Sequence, residues 1–317
     1  LAGLKGVRHP GPPLPAWQTA PRPRLDRLPM LPRFRRGTGT PALVPSSRQE
    51  ALAGEPDRSM SRPIPSSATQ GRGLVVASYN VHKCVGVDRR FDPHRVAHVI
   101  AEMDADIVAV QEADKRFGRR VGLLDTDTLL EGGLTLLPIS RLPDGHGWHG
   151  NALLVRQGTL AHVQCLALPG AEPRGAVIAE LEMPGGQKLR VVGAHFGLLR
   201  RCRMRQGAVI LEAISRGESM PTVVMGDLNE WRPGRRSSLR LLEPLFGSMG
   251  VGPASFPSRL PVLALDRILG WPRGVISGVR AHDTPLARVA SDHLPLKARL
   301  DFTAAAAQAE PPVAAAA

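Results

Sequence analysis

Apolar residues fall in short runs along this chain from residue 74 onward, and polar or helical segments separate the runs. Short runs rich in β-branched residues are typical of buried strands, whereas apolar residues three or four positions apart indicate helices. We predict strands at Leu74–Tyr79, Ile107–Val110, Asn151–Val155, Ala161–Leu168, Ala176–Leu181, Leu189–Ala194, Thr222–Met225, Ala264–Leu269, Val275–Arg280 and Leu294–Leu300. We predict helices at Pro93–Met103, Arg201–Ile214 and Leu239–Leu245.

The order of these elements predicts an α/β fold. A strand, a helix and a second strand follow one another with short links, which is typical of a layered α/β domain. Asp92-Pro93 supplies an N-cap and a proline at the first position of the first helix. The four strands between residues 151 and 194 follow one another without a helix, so we expect them to pair antiparallel.

Charge and proline content divide the chain into three parts. Residues 1–70 hold 13 of the 30 Pro and 11 Lys and Arg against 4 Asp and Glu, without a periodic apolar pattern. Such a composition predicts disorder, so we interpret residues 1–70 as an unstructured basic arm or a misplaced start. Residues 71–302 form the predicted folded domain, and the Ala-rich residues 303–317 are predicted to be a disordered tail.

Cysteine use and hydropathy indicate a cytoplasmic protein. The three cysteines, Cys84, Cys165 and Cys202, cannot form a complete disulfide set, and their spacing matches no zinc pattern. No run approaches the ~18 apolar residues that a membrane-spanning helix requires. We therefore expect reduced thiols in a monomeric cytoplasmic protein without a stable protein partner.

Polar residues stand at the ends of several predicted strands. They are Asn80, Glu112, His195, Asp227, Asn229, Asp266, Asp292 and His293. Taken singly, each has a simple explanation as a turn residue, a solvated carboxylate, an interior histidine or a cap. Asp266 is harder to explain in this way, because an ionised carboxylate inside an apolar strand needs a partner.

Taken together, these residue types favour phosphoester chemistry. Carboxylates and amides are the ligands of a hard cation such as Mg²⁺. A histidine that is oriented by a buried aspartate acts as a general base or acid near neutral pH. A metal, a charged phosphate and a His–Asp pair together describe the hydrolysis of a phosphoester.

The same residues lie in motifs that resemble the endonuclease/exonuclease/phosphatase superfamily, the DNase I-like phosphodiesterases and phosphatases. The motifs are S-Y-N-V-H-K at Ser78–Lys83, V-Q-E at Val110–Glu112, G-N-A-L-L at Gly150–Leu154, G-A-H-F-G-L at Gly193–Leu198, M-G-D-L-N at Met225–Asn229, L-D-R-I at Leu265–Ile268 and S-D-H at Ser291–His293. They occur in the family's order over Leu74–Leu300, and the likeness is strongest to small bacterial members.

This resemblance implies a fold and a cofactor. The fold is a four-layer α/β sandwich, in which two mixed β-sheets pack face to face with helices outside. The cofactor is Mg²⁺, with Mn²⁺ as a substitute. The resemblance implies that Glu112 is the principal metal ligand, that Asn80 lies nearby, and that Asp292 completes the metal side.

The resemblance also implies catalytic roles. His293 would be the general base or would act on the scissile phosphate, and Asp266 would orient it. Asp227 and Asn229 would position the attacking water and the phosphate. His195 would form a hydrogen bond to the phosphate or assist the leaving group.

Five further residues receive weaker interpretations. Asn151, in the G-N-A-L-L motif, is a candidate phosphate contact. Arg203 and Gln206 fit an R-x-x-Q pattern of related bacterial members, and they either contact the phosphate or support their helix. We interpret Lys83 and Arg174 as solvated surface charges, with contact to an anionic substrate as the alternative.

Two positions depart from the DNA-repair members of the superfamily. Some of those members carry Asp two residues after the first Asn, where this chain has His82, so a metal arrangement that uses that Asp is not expected. They also carry Tyr where this chain has His195. The chain therefore resembles the DNase I and sphingomyelinase side of the superfamily.

The leading hypothesis is a Mg²⁺-dependent hydrolase whose substrate is a nucleic acid, a phospholipid headgroup or a small phosphoester. The apolar stretch Phe256–Leu265 either lines a pocket for an apolar group or belongs to the core. One alternative is a non-catalytic scaffold or phosphate-binding member of the same fold, although Glu112, Asp227 and His293 are all present. Another is a DNA-binding protein that acts through the basic arm.

Overall fold

The computed structural model describes residues 73–115 and 118–303 of the 317. The predicted arm at residues 1–70 and the predicted tail beyond Thr303 lie outside these described residues. The strands are β1 (Leu74–Asn80), β2 (Ile107–Gln111), β3 (Thr135–Leu136), β4 (Ala152–Val155), β5 (Thr159–Leu168), β6 (Arg174–Glu182), β7 (Lys188–His195), β8 (Thr222–Asp227), β9 (Asp266–Trp271), β10 (Ile276–Ala281) and β11 (Leu296–Leu300). The α-helices are α1 (Pro93–Glu102), α2 (Thr126–Glu131), α3 (Arg200–Arg216), α4 (Glu243–Phe246) and α5 (Ala287–Ala290). None of the described helices is long and apolar enough to cross a bilayer.

The strands form two mixed sheets. The first has the order β10-β11-β1-β2-β4-β3 and the second the order β5-β6-β7-β8-β9. Each contains one parallel pair, β1 with β2 and β7 with β8, and the other neighbours are antiparallel. A helix links the two strands of each parallel pair, α1 in the first sheet and α3 in the second, as parallel connections require.

Alternation along β2 shows how the layers are built. Ile107 and Ala109 belong to a buried cluster that also contains Val191 of β7, and this cluster lies between the two sheets. Val108 and Val110 belong to a second cluster, which α1 covers. Because successive side chains of a strand point to opposite faces, β2 is buried on both sides. With α3 packed beside β5, the molecule has two face-to-face sheets with helices outside, and the predicted fold is confirmed.

One predicted pairing is wrong. The strand expected at Asn151–Val155 was predicted to pair with the strand that follows it, but β4 pairs with β2 and β3 in the first sheet, whereas β5 begins the second. Gly158, with φ of +107°, lies in the turn between them and allows the chain to change sheets. The predicted helix at Leu239–Leu245 is a 3₁₀ segment, Ser238–Leu242, followed by α4.

Candidate active site

Three candidate site residues occupy one row of the second sheet. His195 on β7 pairs with Asp227 on β8, and Asp227 pairs with Asp266 on β9. Residues directly opposite on neighbouring strands project from the same face. Gly226 has φ of +155°, and a Cβ there would lie 1.8 Å from the Ala194 carbonyl oxygen. Glycine therefore permits the approach of β7 and β8 that brings His195 beside Asp227.

One edge of the first sheet carries the remaining candidates. Asn80 ends β1 and Glu112 follows β2, and these two strands are parallel. Because β11 is antiparallel to β1, the Asp292-His293 pair that precedes β11 lies at the same edge. The Ser291 hydroxyl donates a 2.7 Å hydrogen bond to the Asn80 carbonyl oxygen and ties the two segments together.

His293 and Asp266 form the His–Asp pair at the centre of the site. His293 Nδ1 lies 2.8 Å from Asp266 Oδ2, and the Ser255 hydroxyl donates to the same oxygen at 2.5 Å. The Phe256 ring packs against the imidazole with a centroid distance of 5.0 Å. These contacts fix the ring so that its other nitrogen, Nε2, lies 3.8 Å from Asp227 Oδ2.

Burial and neighbouring charge shift the pKa of both groups. Burial raises the pKa of Asp227 to about 6, although the charge of His293 opposes this shift. Burial disfavours the imidazolium of His293, but the carboxylates of Asp266 and Asp227 outweigh burial and raise its pKa to about 10. At neutral pH the site therefore holds an ionised Asp227 with a protonated His293 beside it.

Arg174 determines the tautomer of His195. Arg174 Nη1 lies 2.9 Å from His195 Nδ1, and a guanidinium can only donate. Nδ1 is therefore the unprotonated nitrogen, and Nε2 carries the proton that faces Asp227 Oδ2 at 3.3 Å. The interpretation of Arg174 as a solvated charge is wrong, since only 8% of the residue is exposed.

Two asparagines also bind Asp227. Asn80 Nδ2 donates to Asp227 Oδ2, and the Asn229 backbone N–H donates to Asp227 Oδ1, both at 3.0 Å. Asn229 has φ of +51°, a conformation that asparagine tolerates better than most residues. Its side-chain amide donates to the Phe196 carbonyl oxygen at 3.0 Å. Asn229 therefore holds the end of β8 against the end of β7.

At the edge of the first sheet, Glu112 is paired with Lys83. Burial raises the pKa of Glu112, but the hydrogen bond and charge of Lys83 outweigh burial, so the pKa lies below its usual value. The Lys83 side chain is 36% exposed, so it remains partly solvated, and its ammonium is bound to this carboxylate. The neighbouring Asp292 side chain is 34% exposed and lies 3.8 Å from His82 Nδ1.

The donor chemistry of the site fits a divalent cation. Among the described residues, Asp227, Asp266 and His293 have potential ligand atoms within 4.8 Å of one another, and Asp266 Oδ1 is buried without a hydrogen-bond partner. This cluster differs from the ligand set that the resemblance implies. Hydrogen bonds within the protein already engage both carboxylate oxygens of Asp227 and the Nδ1 of His293. Among the described residues, the ion-pair partner of the Glu112 carboxylate is the Lys83 ammonium, and a carboxylate of this kind can hold a divalent cation.

Arg203 and Gln206 support the loop that follows β7. Arg203 donates to the Leu198 carbonyl oxygen at 2.5 Å, and its guanidinium lies 3.2 Å from the buried Glu230 carboxylate. Gln206 accepts a 2.8 Å hydrogen bond from the Gly197 backbone. Of the two interpretations of this pair, these contacts favour the structural one.

Asn151 shapes the loop before β4. Its Nδ2 donates to the carbonyl oxygens of Trp148 at 3.1 Å and Gly175 at 3.0 Å. Its Oδ1 is buried and has no hydrogen-bond partner among the described residues. The amide thus links the first sheet to the start of β6, and its oxygen remains available to a donor.

Sequence reasoning missed several residues that support the site. Ser255, just before the apolar stretch Phe256–Leu265, contacts Asp266, and Phe256, the first residue of that stretch, contacts His293. A serine and an aromatic residue shortly before a buried aspartate give a weak signal at best. Glu230 follows Asn229 directly and is fully buried, but nothing in the sequence distinguishes it from an exposed loop carboxylate.

Comparisons with known proteins agree with this architecture. The chain is similar to an endonuclease/exonuclease/phosphatase from Bacteroides vulgatus, with a TM-score of 0.56, 18% identity and coverage of 73% of this chain and 99% of that one. It is also similar to a functionally unknown conserved protein from Enterococcus faecalis V583, with a TM-score of 0.57, 20% identity and coverage of 72% and 99%. A mannosyl-6-phosphatase from Bacteroides thetaiotaomicron VPI-5482 matches with a TM-score of 0.52, 17% identity and coverage of 72% and 100%. At these identities the matches show a shared fold.

A search of curated protein sequences gave no significant match. The model of the Endonuclease/Exonuclease/phosphatase family matches residues 77–293, which include every candidate site residue. This match spans more than half of the chain and includes most of the two sheets, whose strands extend from Leu74 to Leu300. The chain therefore belongs to the endonuclease/exonuclease/phosphatase family.

Proposed function

We propose that this chain is a divalent-metal-dependent hydrolase of phosphoester bonds, in which Asp227 activates water and His293 binds the phosphate. The observation that carries the proposal is the buried contact of Asp227 with His293, supported by Asp266. A carboxyl group with a pKa of about 6 is an effective general base near neutral pH. A protonated imidazole beside it supplies positive charge for a phosphate oxygen.

The hydrolytic step follows from these protonation states. Water attacks phosphorus in line with the leaving oxygen and gives a proton to Asp227, while the bond from phosphorus to the leaving oxygen breaks and that oxygen takes a proton from solvent. His293 and the Nε2–H of His195 are positioned to donate hydrogen bonds to phosphate oxygens. A divalent cation held by Glu112, Asn80 and Asp292 would neutralise phosphate charge. This assignment favours the phosphate-binding role of His293 over that of general base.

Hydrolysis of bis-p-nitrophenyl phosphate in the presence of Mg²⁺ or Mn²⁺ tests the proposal. We expect turnover by the full chain and its loss with EDTA. His293→Ala and Glu112→Ala should each lower the rate at least ~10²-fold, the scale of a phosphate-binding charge or an essential metal ligand. The exposed His98→Ala and Glu131→Ala serve as matched controls and should retain the rate. Full activity of either site variant would refute the mechanism.

Substrate class requires a separate comparison. The mannosyl-6-phosphatase match names a sugar phosphate for that protein, and the site of this chain is compatible with several phosphoesters. The substrate classes are distinguished by assaying the wild type against His293→Ala on a panel of phosphoesters. The panel contains plasmid DNA, abasic duplex, RNA, sphingomyelin, phosphoinositides and sugar phosphates. If no substrate distinguishes the two proteins, a phosphate-binding or scaffold role replaces hydrolysis.

A further inference from the structure

Two exposed segments that follow β7 and β8 form one continuous surface, the arginine–apolar patch, defined as residues 198–205 and 231–236. The first begins three residues after His195 and the second two residues after Asn229. Arg200 Nε donates a 3.2 Å hydrogen bond to the Arg236 carbonyl oxygen and joins the segments. The patch therefore lies directly after the ends of β7 and β8, which carry His195 and Asp227.

Large apolar side chains are exposed on this patch. Leu198 is 62% exposed, Leu199 41%, Met204 41% and Trp231 42%. Single exposed apolar residues are ordinary, but a group of four on adjoining segments marks a binding surface. The Arg232 guanidinium lies 4.7 Å from the centroid of the Trp231 ring, so apolar and cationic groups are interleaved.

The patch also accounts for the basic character of the folded part. Residues 71–317 hold 30 Lys and Arg against 24 Asp and Glu, an excess of six. The two segments contribute seven Arg and no acid, so the rest of residues 71–317 has one more acid than base. All of these arginines except the buried Arg203 reach the surface. The net excess of positive charge in residues 71–317 is therefore contributed by the patch.

We propose that the arginine–apolar patch docks this chain onto an anionic lipid bilayer. Arginines are attracted to the negative surface of such a bilayer, and leucine, methionine and tryptophan side chains enter its interface. Docking at this position would hold the ends of β7 and β8, which carry His195 and Asp227, on the side of the protein that faces the lipid. The proposal concerns binding and does not depend on the proposed hydrolysis.

Charge and composition argue against three other partners for the patch: residues 1–70, a second copy of the chain and single-stranded nucleic acid. Residues 1–70 carry 11 Lys and Arg against 4 acids, and a second copy of the patch is equally basic, so both would be repelled. Single-stranded nucleic acid is bound by several stacking aromatics, whereas the two segments contain one aromatic residue, Trp231, and three exposed aliphatic ones. A lipid surface fits both kinds of side chain.

Co-sedimentation of the full chain with vesicles tests the proposal. We expect binding to vesicles of phosphatidylcholine mixed with phosphatidylglycerol, weakening as salt is raised, and little binding to phosphatidylcholine alone. Arg235→Glu combined with Arg236→Glu should weaken binding at least ~10-fold. The matched control is Arg299→Glu. Arg299 is exposed on β11 and pairs with Val75 near the start of β1, so it lies at the opposite end of that strand from Asn80.

Fluorescence locates the contact. Vesicles with brominated acyl chains should quench Trp231, whereas Trp231→Phe should still bind but lose most of the quenching. Wild-type binding by the double-glutamate variant, unchanged quenching in Trp231→Phe, or tighter binding to duplex DNA than to anionic vesicles would each overturn the proposal. The double variant should hydrolyse a soluble phosphodiester at the wild-type rate, which separates a docking defect from misfolding and from failure of the proposed hydrolysis.

Discussion

Asp227 contacts groups from both sheets. Asn80 Nδ2 of the first sheet donates to it, as does the backbone N–H of Asn229. His195 Nε2 lies 3.3 Å and His293 Nε2 3.8 Å from its Oδ2. Burial raises the pKa of this carboxylate, and the charge of His293 and the hydrogen bonds from Asn80 and Asn229 oppose that shift.

The first prediction concerns pH. The rate on a soluble phosphodiester should rise with pH through about 6, because Asp227 must lose its proton before it can accept one from water. The rate should fall again near pH 10, as His293 loses its positive charge. The measurement is a pH profile of kcat/KM at fixed metal concentration.

The variant His293→Gln provides an internal check of this assignment. The charge of His293 lowers the pKa of Asp227, so its removal should move the acid limb of the residual activity to higher pH and abolish the basic limb. An acid limb that stays in place would contradict the assignment of Asp227 as the base.

The second prediction concerns Arg174, which we regard as a positioning residue for His195. Arg174→Met should release His195 Nδ1, change the tautomer and lower kcat/KM by about 10- to 10²-fold, while Arg174→Lys retains one donor and should recover part of the loss. The ¹⁵N shifts of the imidazole report the tautomer directly. Arg299→Met is the exposed control. An unchanged ¹⁵N spectrum in Arg174→Met would refute this role.

At the scale of elements, Gly226 controls the approach of β7 and β8. In Gly226→Ala the new methyl group would overlap the Ala194 carbonyl oxygen, and φ of +155° is unfavourable for alanine. We expect a loss of about 2–5 kcal/mol in the free energy of unfolding, measured by denaturant titration. Gly250→Ala, where a Cβ meets nothing within 4 Å, should stay near wild type. Equal stability of the two variants would contradict the argument.

The sequence predicted the strands well, but not how they pair. The polar ends of β1, β2, β7 and β8 follow from apolar runs that stop on Asn, Gln-Glu, His and Asp. The row of His195, Asp227 and Asp266 depends on strand register, which a single strand does not encode. The same limit explains why the pairing of β4 was predicted wrongly. Adjacency in sequence favours a hairpin with β5, but β4 is buried in the first sheet, where it pairs with β2 and β3.

At the scale of the whole molecule, each sheet supplies half of the site. The first contributes Asn80, Glu112 and His293, and the second contributes His195, Asp227 and Asp266 from adjoining strands. Motif order alone was sufficient to predict the fold, and the active-site roles that it implies for these residues stay a prediction. It did not predict that Arg174 and Lys83 are bound to His195 and Glu112, because such contacts depend on side-chain positions in three dimensions.

A further prediction is that metal raises the stability of the whole fold. A ligand that binds only the native state at about a hundredfold above its Kd stabilises by ~2.7 kcal/mol. We expect Mg²⁺ or Mn²⁺ to raise Tm in a concentration-dependent way. Glu112→Gln should lose the shift, whereas the exposed Glu131→Gln should keep it. The same shift in both variants would exclude Glu112 as the principal ligand.

The hydrogen bond between Asn80 and Asp227 has a consequence for the order of folding. It joins residues 147 positions apart, and the His293–Asp266 contact likewise depends on one sheet meeting the other. Loop-closure entropy makes such distant contacts slow to form. Hairpins and helices can therefore be complete while the site is still open, and during refolding the return of activity reports the docking of the sheets.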